Sequence, residues 1–546
     1  MQDRLRISSP LRLTLCILGV IAGFYALYFA GLGHNPLLDP DEPIYGQFVK
    51  EMVRSGDWLT PHYGGQLWFD KPPLFYWLSA ASVKMFGLSE FAVRLPSAVC
   101  AVGIVLMVFL LTSHDFGKRA ALFASLVMAT SLMQIVMSHA AATDAVMVFL
   151  LTLALYCYRR WLDAEGRGRL GWITVCGLAT GLGMLAKGPV VPVLLTAAFA
   201  IHLWWVKRLS KLKVTDVLLG VGCALAIGLP WYIAMYAMHG HVFVDQFIVS
   251  NNIARFLKPL HKSQTGQWYS YLRNAPVLLL FLFPWSVFLP QAIARNWRAN
   301  TGAKLAAVWF AVVFVFFSIS KTQNFTYTYP AFPAAALLIG ALWSRAEAGD
   351  SGSRKSINRG VWVGLGIAGL IAMALAVIAI KKYPGAIVPA GALGGVLVVA
   401  FVGSVVSNGR KAARTAWVIT TGMLALNILL LFGLIPVVSQ SKSSEVLAHK
   451  ISHLSKAQVV IYSTYRPGLV YYVEPRPIRV NDDSEIEQLM SSKTPMLFIC
   501  NEGNESHIER FSSDEVAGWG DLDVYANKAY MDTTRTAMLS TAPGLR

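Results

Sequence analysis

Three carboxylates, Asp39, Asp41 and Glu42, fall within four residues, and further along the same stretch Asp70 and Lys71 stand directly before a Pro-Pro pair. Another carboxylate, Asp144, occurs in HAAATDAVMVF, and Arg255 occurs in SNNIARFLKPLHK beside Asn251 and Asn252. Carboxylates can remove a proton, orient a reactant or hold a cation. A guanidinium flanked by amides suits bidentate binding of a phosphate, and a lysine held extended by the proline after it can project its charge into a cavity. Each group also has a plainer reading. Asp41 and Glu42 precede Pro43, as acids capping a helix do, and Asp144 reads equally well as a cap. Lys71 suits snorkelling to a membrane surface, and Arg255 suits a pair with Asp245. What favours chemistry is the combination, because ionisable groups from separate segments at a membrane boundary are costly unless they share a polar site.

Histidines 62, 239, 241 and 261 leave room for a divalent metal, with Glu42, His62 and His261 as candidate ligands, but no HExxH or comparable spacing occurs. In SKTQNFTYTYP, Lys321, Asn324, Tyr327 and Tyr329 read first as residues of an interfacial belt.

The elements that must carry these groups are membrane helices. Of 546 residues, 55% are hydrophobic and 14% charged, and the mean hydropathy is +0.51. Apolar runs near 13–31, 92–112, 119–138, 143–158, 170–186, 189–206, 215–237, 276–294, 304–319, 330–344, 361–380, 386–406 and 415–438 give about thirteen spans. The net charge of +17 does not indicate nucleic acid, since the basic residues gather in alternate short loops, such as Arg159, Arg160, Arg167 and Arg169, or Lys207, Arg208, Lys211 and Lys213. By the positive-inside rule those loops and the N-terminus are cytoplasmic. An odd number of spans then places the carboxylate-bearing segment and the C-terminal region outside.

The membrane part is expected over 1–438, with outer loops at 32–90 and 238–275, and a soluble α/β domain over 439–546. Within the first outer loop, Ile44, Phe48, Met52 and Val53 recur at helical spacing among Lys50, Glu51 and Arg54, the pattern of a helix lying in the bilayer interface. In the C-terminal region, AQVVIYSTY and TPMLFIC read as strands, and SSEVLAHKISHL and SEIEQLMSS as helices. Glu474, Arg476 and Arg479 there are candidate acceptor contacts or simply solvated charges. Cys500 is alone in that domain, and no CxxC pair supports a disulfide framework or thiolate site. The GxGxxG string at Gly364, Gly366 and Gly369 lies inside an apolar run, so it reads as helix packing rather than a dinucleotide site.

The stretch DPDEPIYGQFVKEMVRSGDWLTPHYGGQLWFDKPPLFYWLSAASVKMFGLSEFAVRLPSAV resembles the first outer loop of GT-C superfamily transferases related to protein O-mannosyltransferases, and within them most resembles bacterial aminoarabinose transferases. The likeness extends to span number, the Asp-Glu pair, the lysine before proline, the NNxxRF-type second loop and a trailing outer domain. It implies inverting transfer of 4-amino-4-deoxy-L-arabinose from undecaprenyl phosphate to a lipid A phosphate, at the periplasmic face of the bacterial inner membrane. It also implies catalytic roles for Asp41 and Asp144, support or metal binding by Glu42, and donor-phosphate binding by Lys71 and Arg255. No cofactor is firmly implied beyond the metal already raised. Mannosyl or galacturonosyl transfer to a lipid or protein fits the same motifs. A transporter or flippase for a polyprenyl-linked sugar is the competing class, against which stand the lack of an internal repeat and the one-sided placement of polar residues.

Overall fold

A chain in hydrocarbon must satisfy its own backbone hydrogen bonds, so each long apolar run becomes a helix. The computed structural model describes residues 18–258, 273–382, 384–407, 412–441, 444–452, 454, 457–501, 508, 514–519 and 522–540. Among these, nine helices, from Glu90–Phe116 to Ala412–Val437, are long and apolar enough to cross a membrane. Two helix pairs pass the same test together but are bent, Lys118–Thr130 with Leu132–Ser138 by 60° and Asn274–Leu282 with Trp285–Asn296 by 109°. Leu18–Phe29 and Val190–Trp205 are shorter apolar helices. As far as its residues are described, each span expected from hydropathy overlaps one of these helices, and the chain is a multi-pass membrane protein.

Small residues let the helices approach closely. A Cβ on Gly181, in Gly166–Lys187, would lie 2.5 Å from the Ala224 carbonyl oxygen of the helix Val214–Phe243, and one on Gly340 would lie 2.6 Å from that of Ala120. Of the GxGxxG string, Gly364 packs so closely on Phe401 that a Cβ would collide with the ring, within the helix Ser351–Lys382.

The chain divides into two units. The larger comprises Met1–Leu32, Asp57–Pro61 and Trp68–Leu434; the smaller comprises Gly33–Gly56, His62–Leu67 and Ile435–Arg546. One expectation for the larger unit is corrected. The segment 238–275 is not an open loop as far as it is described. After a break at Gly240, where φ is +52°, the chain stays helical through Val244–Ala254, in π-helical form, to Arg255–Leu257. The apolar, amphipathic run that ends in Arg255 simply continues the preceding span.

In the smaller unit, a hairpin of β1 (His62–Tyr63) and β2 (Gln66–Leu67) turns through Gly64 and Gly65, both at positive φ. A five-stranded sheet follows from β3 (Gln458–Tyr462), β4 (Ile478–Val480), β5 (Met496–Asn501), β6 (Asp514–Trp519) and β7 (Leu522–Ala526). Its order is β4-β3-β5-β7-β6, parallel from β4 to β5 and antiparallel beyond. Val460, Ile486, Phe498 and Cys500 are fully buried in its core, which accounts for the lone cysteine as a packed hydrophobe.

The helix Asp41–Ser55 also belongs to this unit, and here a second expectation is corrected. It does not present one apolar stripe to a bilayer, because Ile44, Phe48 and Met52 are buried together with Gln47, Val49 and Lys50 on its other faces. Packing explains this: a Cβ on Gly46 would meet Leu37 and Tyr471, which close over the helix. The acids Asp41 and Glu42 occupy the first turn, favourably placed for the helix dipole, and Gly56 at φ +76° ends the helix.

The loop before this helix is fastened through Asp39, which accepts hydrogen bonds from the Gly468 N–H at 2.7 Å and the Ser444 hydroxyl at 2.7 Å. Burial raises its pKa above the ordinary aspartate value, against the pull of Ser444, Gly468 and Arg466. The folded state therefore binds the proton more readily than the unfolded chain. Ionised Asp39 opposes folding above its raised pKa, and this penalty is relieved as pH falls through that pKa toward the ordinary value. Asp39→Asn removes the charge and keeps the Gly468 contact through its carbonyl oxygen, with its amide nitrogen donating to the Ser444 hydroxyl in place of accepting from it. The expected result is unchanged or greater stability at neutral pH and a flatter stability profile across that acidic window, read by thermal unfolding at several pH values.

Candidate active site

Lys71 follows the hairpin and precedes Pro72, while Arg255 ends the π-helical segment, and the two meet on one carboxylate. Lys71 Nζ lies 2.9 Å and Arg255 Nη2 3.1 Å from the same oxygen, Asp70 Oδ1. Arg255 thus pairs with Asp70 and not with Asp245, and Lys71 is drawn inward rather than snorkelling, with its side chain 11% exposed. The segment is held in register by Asn251, which donates to the Phe69 carbonyl at 3.0 Å, and by the Thr322 N–H, which donates to the Arg255 carbonyl at 3.2 Å.

Asp144 stands in the first turn of the helix Thr143–Asp163, but it is more than a dipole partner. Its Oδ2 accepts from Lys187 Nζ at 2.8 Å, with the two side chains 7% and 13% exposed. Lys187 is the last residue of Gly166–Lys187. Both pairs line one cavity of about 400 Å³, together with Asn251, Asn252 and Tyr327 at its polar end and Met147, Val190, Val193, Phe256, Phe316 and Phe317 along its apolar walls. Asp144 Oδ1 and Arg255 Nε are buried there without a hydrogen-bond partner among the described residues. An acceptor and a donor left unused on residues that line a cavity are available to a ligand.

The charges of the cavity are unequal. Lys71, Lys187 and Arg255 outnumber Asp70 and Asp144 by one. Burial pushes the Asp70 pKa up, but Lys71 and Arg255 beside it outweigh that and hold it below its ordinary value. Burial lowers the pKa of Lys71, with Arg255 and Lys187 adding to the effect and Asp70 opposing it. A pocket with one cation in excess and apolar walls suits an anionic head on a hydrocarbon tail.

Sequence reasoning reached Lys71, Arg255 and Asp144 and missed Lys187; it noted Asp70 without a role and read Tyr327 as a belt residue. Asp41 and Glu42 belong to the smaller unit and are not among the lining residues of this cavity. Asp41 is exposed at the start of its helix. Glu42 is 6% exposed, and its carboxylate accepts from the Leu38 N–H at 2.8 Å. Among the described residues no three His, Cys, Asp or Glu side chains come together as a metal site would require. Glu42 is committed to the backbone, His62 lies on β1, and His261 falls outside the described residues. Among the described residues the donor set does not fit a metal.

The Lys187–Asp144 pair allows a direct test of its weight. Removing one partner of a buried pair strands the other, at about 3–5 kcal/mol. Lys187→Met should therefore destabilise the protein by about 3 kcal/mol, the lower end of that range, given the residual exposure of both side chains. Lys187→Met combined with Asp144→Leu should recover most of that loss, as read by thermal unfolding in detergent.

With this geometry in hand, the comparisons are concordant. The family described as dolichyl-phosphate-mannose-protein mannosyltransferase matches residues 70–233. An undecaprenyl phosphate-alpha-4-amino-4-deoxy-L-arabinose arabinosyl transferase of Pseudomonas aeruginosa (strain LESB58) is 32% identical over 373 residues, 67% of this chain and 66% of that protein. Its counterpart in Edwardsiella ictaluri is 31% identical over 372 residues, 65% of each chain. The match to these relatives spans just under two thirds of their own length. The crystal structure of ArnT from Cupriavidus metallidurans bound to undecaprenyl phosphate superposes with a TM-score of 0.84 at 22% identity, covering 94% of this chain and 98% of that one. Fold and relatives point the same way: the chain has the fold of that transferase structure, and it is similar over just under two thirds of their length to undecaprenyl phosphate-alpha-4-amino-4-deoxy-L-arabinose arabinosyl transferases.

Proposed function

We propose that this protein is an inverting glycosyltransferase that moves 4-amino-4-deoxy-L-arabinose from undecaprenyl phosphate to a lipid A phosphate. The observation that carries the reading is the convergence of Lys71 and Arg255 on Asp70 at the charged end of an otherwise apolar cavity. In the reaction the bond between the anomeric carbon and the donor phosphate oxygen breaks, and a bond from that carbon to an acceptor oxygen forms on the opposite face. Negative charge grows on the departing phosphate, and fixed cations stabilise it without having to reorganise. Asp70 holds both cations in place before the donor arrives, and the phosphate must share them with it.

The acceptor is the less constrained half. A lipid A phosphate is largely ionised at neutral pH and needs no base to attack, whereas a hydroxyl acceptor does. The match to a family described by mannosyl transfer to protein keeps that second reading in play. Positive-inside loops support an orientation with the N-terminus in the cytoplasm and both the reaction and the smaller unit in the periplasm of a bacterial inner membrane. Mass spectrometry of lipid A from cells with and without this protein separates the readings. Gain of an aminopentose supports the proposal, and unchanged lipid A alongside newly glycosylated protein overturns it.

A further inference from the structure

The smaller unit holds a cavity of its own, about 510 Å³, whose chemistry the transfer reaction does not use. One wall is the helix Asp41–Ser55, which contributes Gln47, Lys50, Glu51 and Arg54; the other includes Glu474 and Arg476. Lys50 Nζ sits 2.5 Å from Glu474 Oε1, and Arg54 Nη1 is 2.8 Å from the same atom. Glu51 receives the N–H groups of Gly64 and Gly65 at 2.8 and 3.0 Å, and the Gln47 amide nitrogen at 2.6 Å. That last bond fixes which way the Gln47 amide faces. Its carbonyl oxygen is left buried with no partner among the described residues, on a residue only 4% exposed.

Arg476 completes the wall. Its guanidinium lies against Gly65, where a Cβ would collide with it, and it makes no ion pair among the described residues. The cavity thus offers an uncommitted cation beside a half-exposed one, a buried acceptor that needs a hydroxyl or amine donor, and two aliphatic side chains, Val470 and Val473. Inorganic phosphate would satisfy the arginines and leave Gln47 stranded. A neutral sugar would do the reverse. A base-bearing ligand would look for an aromatic platform, and none of Phe, Tyr or Trp lines the cavity.

We propose that this cavity binds a phosphorylated saccharide, with the phosphate on Arg476 and Arg54 and a ring hydroxyl or amine on Gln47. The inference deepens the proposed function, on which it rests for the ligand's source: it makes the smaller unit a recognition element for the phosphosugar headgroup of the acceptor glycolipid.

The test uses the full-length protein in detergent with glucosamine 1-phosphate as the probe, and glucosamine and inorganic phosphate as comparisons, followed by saturation-transfer NMR and titration. The expected result is that glucosamine 1-phosphate binds more tightly than either comparison. Arg476→Gln and Gln47→Leu should each weaken it about fivefold or more, while Lys71→Met leaves it unchanged. Arg476 is exposed, so its replacement does not threaten the fold, and it guards against a misfolded Gln47 variant. Absence of binding, equal binding of inorganic phosphate, or loss on Lys71→Met but not on Arg476→Gln each overturns the proposal. A transfer assay keeps the two readings apart. Arg476→Gln should raise the acceptor KM about fivefold at unchanged kcat, whereas a protein that binds the probe through Arg476 yet transfers no aminopentose retains this site and loses the proposed reaction.

Discussion

Lys71→Met is expected to slow the proposed sugar transfer by about 10²–10³-fold, the cost of removing one preorganised charge from beside a developing anion. Arg255→Gln should cost as much, and the double variant little more than either single one. The two cations grip one carboxylate, and by the proposed reaction one phosphate, so their losses are coupled rather than additive. The charge-preserving variants are more telling. Lys71→Arg restores a cation that does not titrate, whereas the native lysine has its pKa depressed by burial. Native transfer should therefore fall as pH rises through the lowered lysine pKa, earlier than an ordinary lysine would allow, and Lys71→Arg should move that alkaline limb upward at a reduced maximum rate. Arg255→Lys keeps the charge but gives up the planar fork that reaches both Asp70 and a ligand, so it should recover little. The measurement is transfer from a radiolabelled donor in proteoliposomes across a pH series. Native-like rates in Lys71→Met would remove the cavity from the reaction.

How much of this was readable in advance depends on how far each partner lies along the chain. Hydropathy located the spans because twenty apolar residues in a row have one stable outcome in a bilayer. The 109° bend falls at Phe283 and Pro284, a proline that marks a break without giving its angle, and the 60° bend falls at Ser131 with no such mark. Lys71 and Arg255 stood out by type, but their meeting on Asp70 required the segment after Gly240 to stay helical to Leu257, and the glycine together with Asn251 and Asn252 reads more naturally as the start of a loop. Lys187 was legible in principle. It ends a span on the side opposite the basic loops, and a lysine on that side breaks the charge parity of the chain. The helix Asp41–Ser55 misled for a different reason. Tyr471 and Glu474, which meet its Lys50, lie more than 400 positions away, and no periodicity inside the helix reports a partner at that separation.

Asp41→Asn is expected to abolish transfer while leaving donor affinity within about twofold, on the catalytic role that the resemblance implies for it. Asp39 is spent on Gly468 and Ser444, and Glu42 on the Leu38 N–H. Asp41 is the exposed one of the three, at the first position of a helix that is buried from Glu42 to Lys50. Asparagine has the same shape, so the fold should survive the change. What disappears is a negative charge. Once bound substrate has displaced water, a carboxylate about 4 Å from a forming oxocarbenium-like centre or from the amine of the sugar stabilises it by about 4 kcal/mol at an effective dielectric of 20, or about 10³-fold in rate. The same substitution reports on the acceptor. If Asp41 took a proton from a hydroxyl, the residual rate of Asp41→Asn would climb with pH as hydroxide replaced the lost base. A phosphate acceptor carries its charge already, so the residual rate should stay flat across neutral pH, and a tenfold recovery per pH unit would assign Asp41 to proton removal and the acceptor to the hydroxyl class.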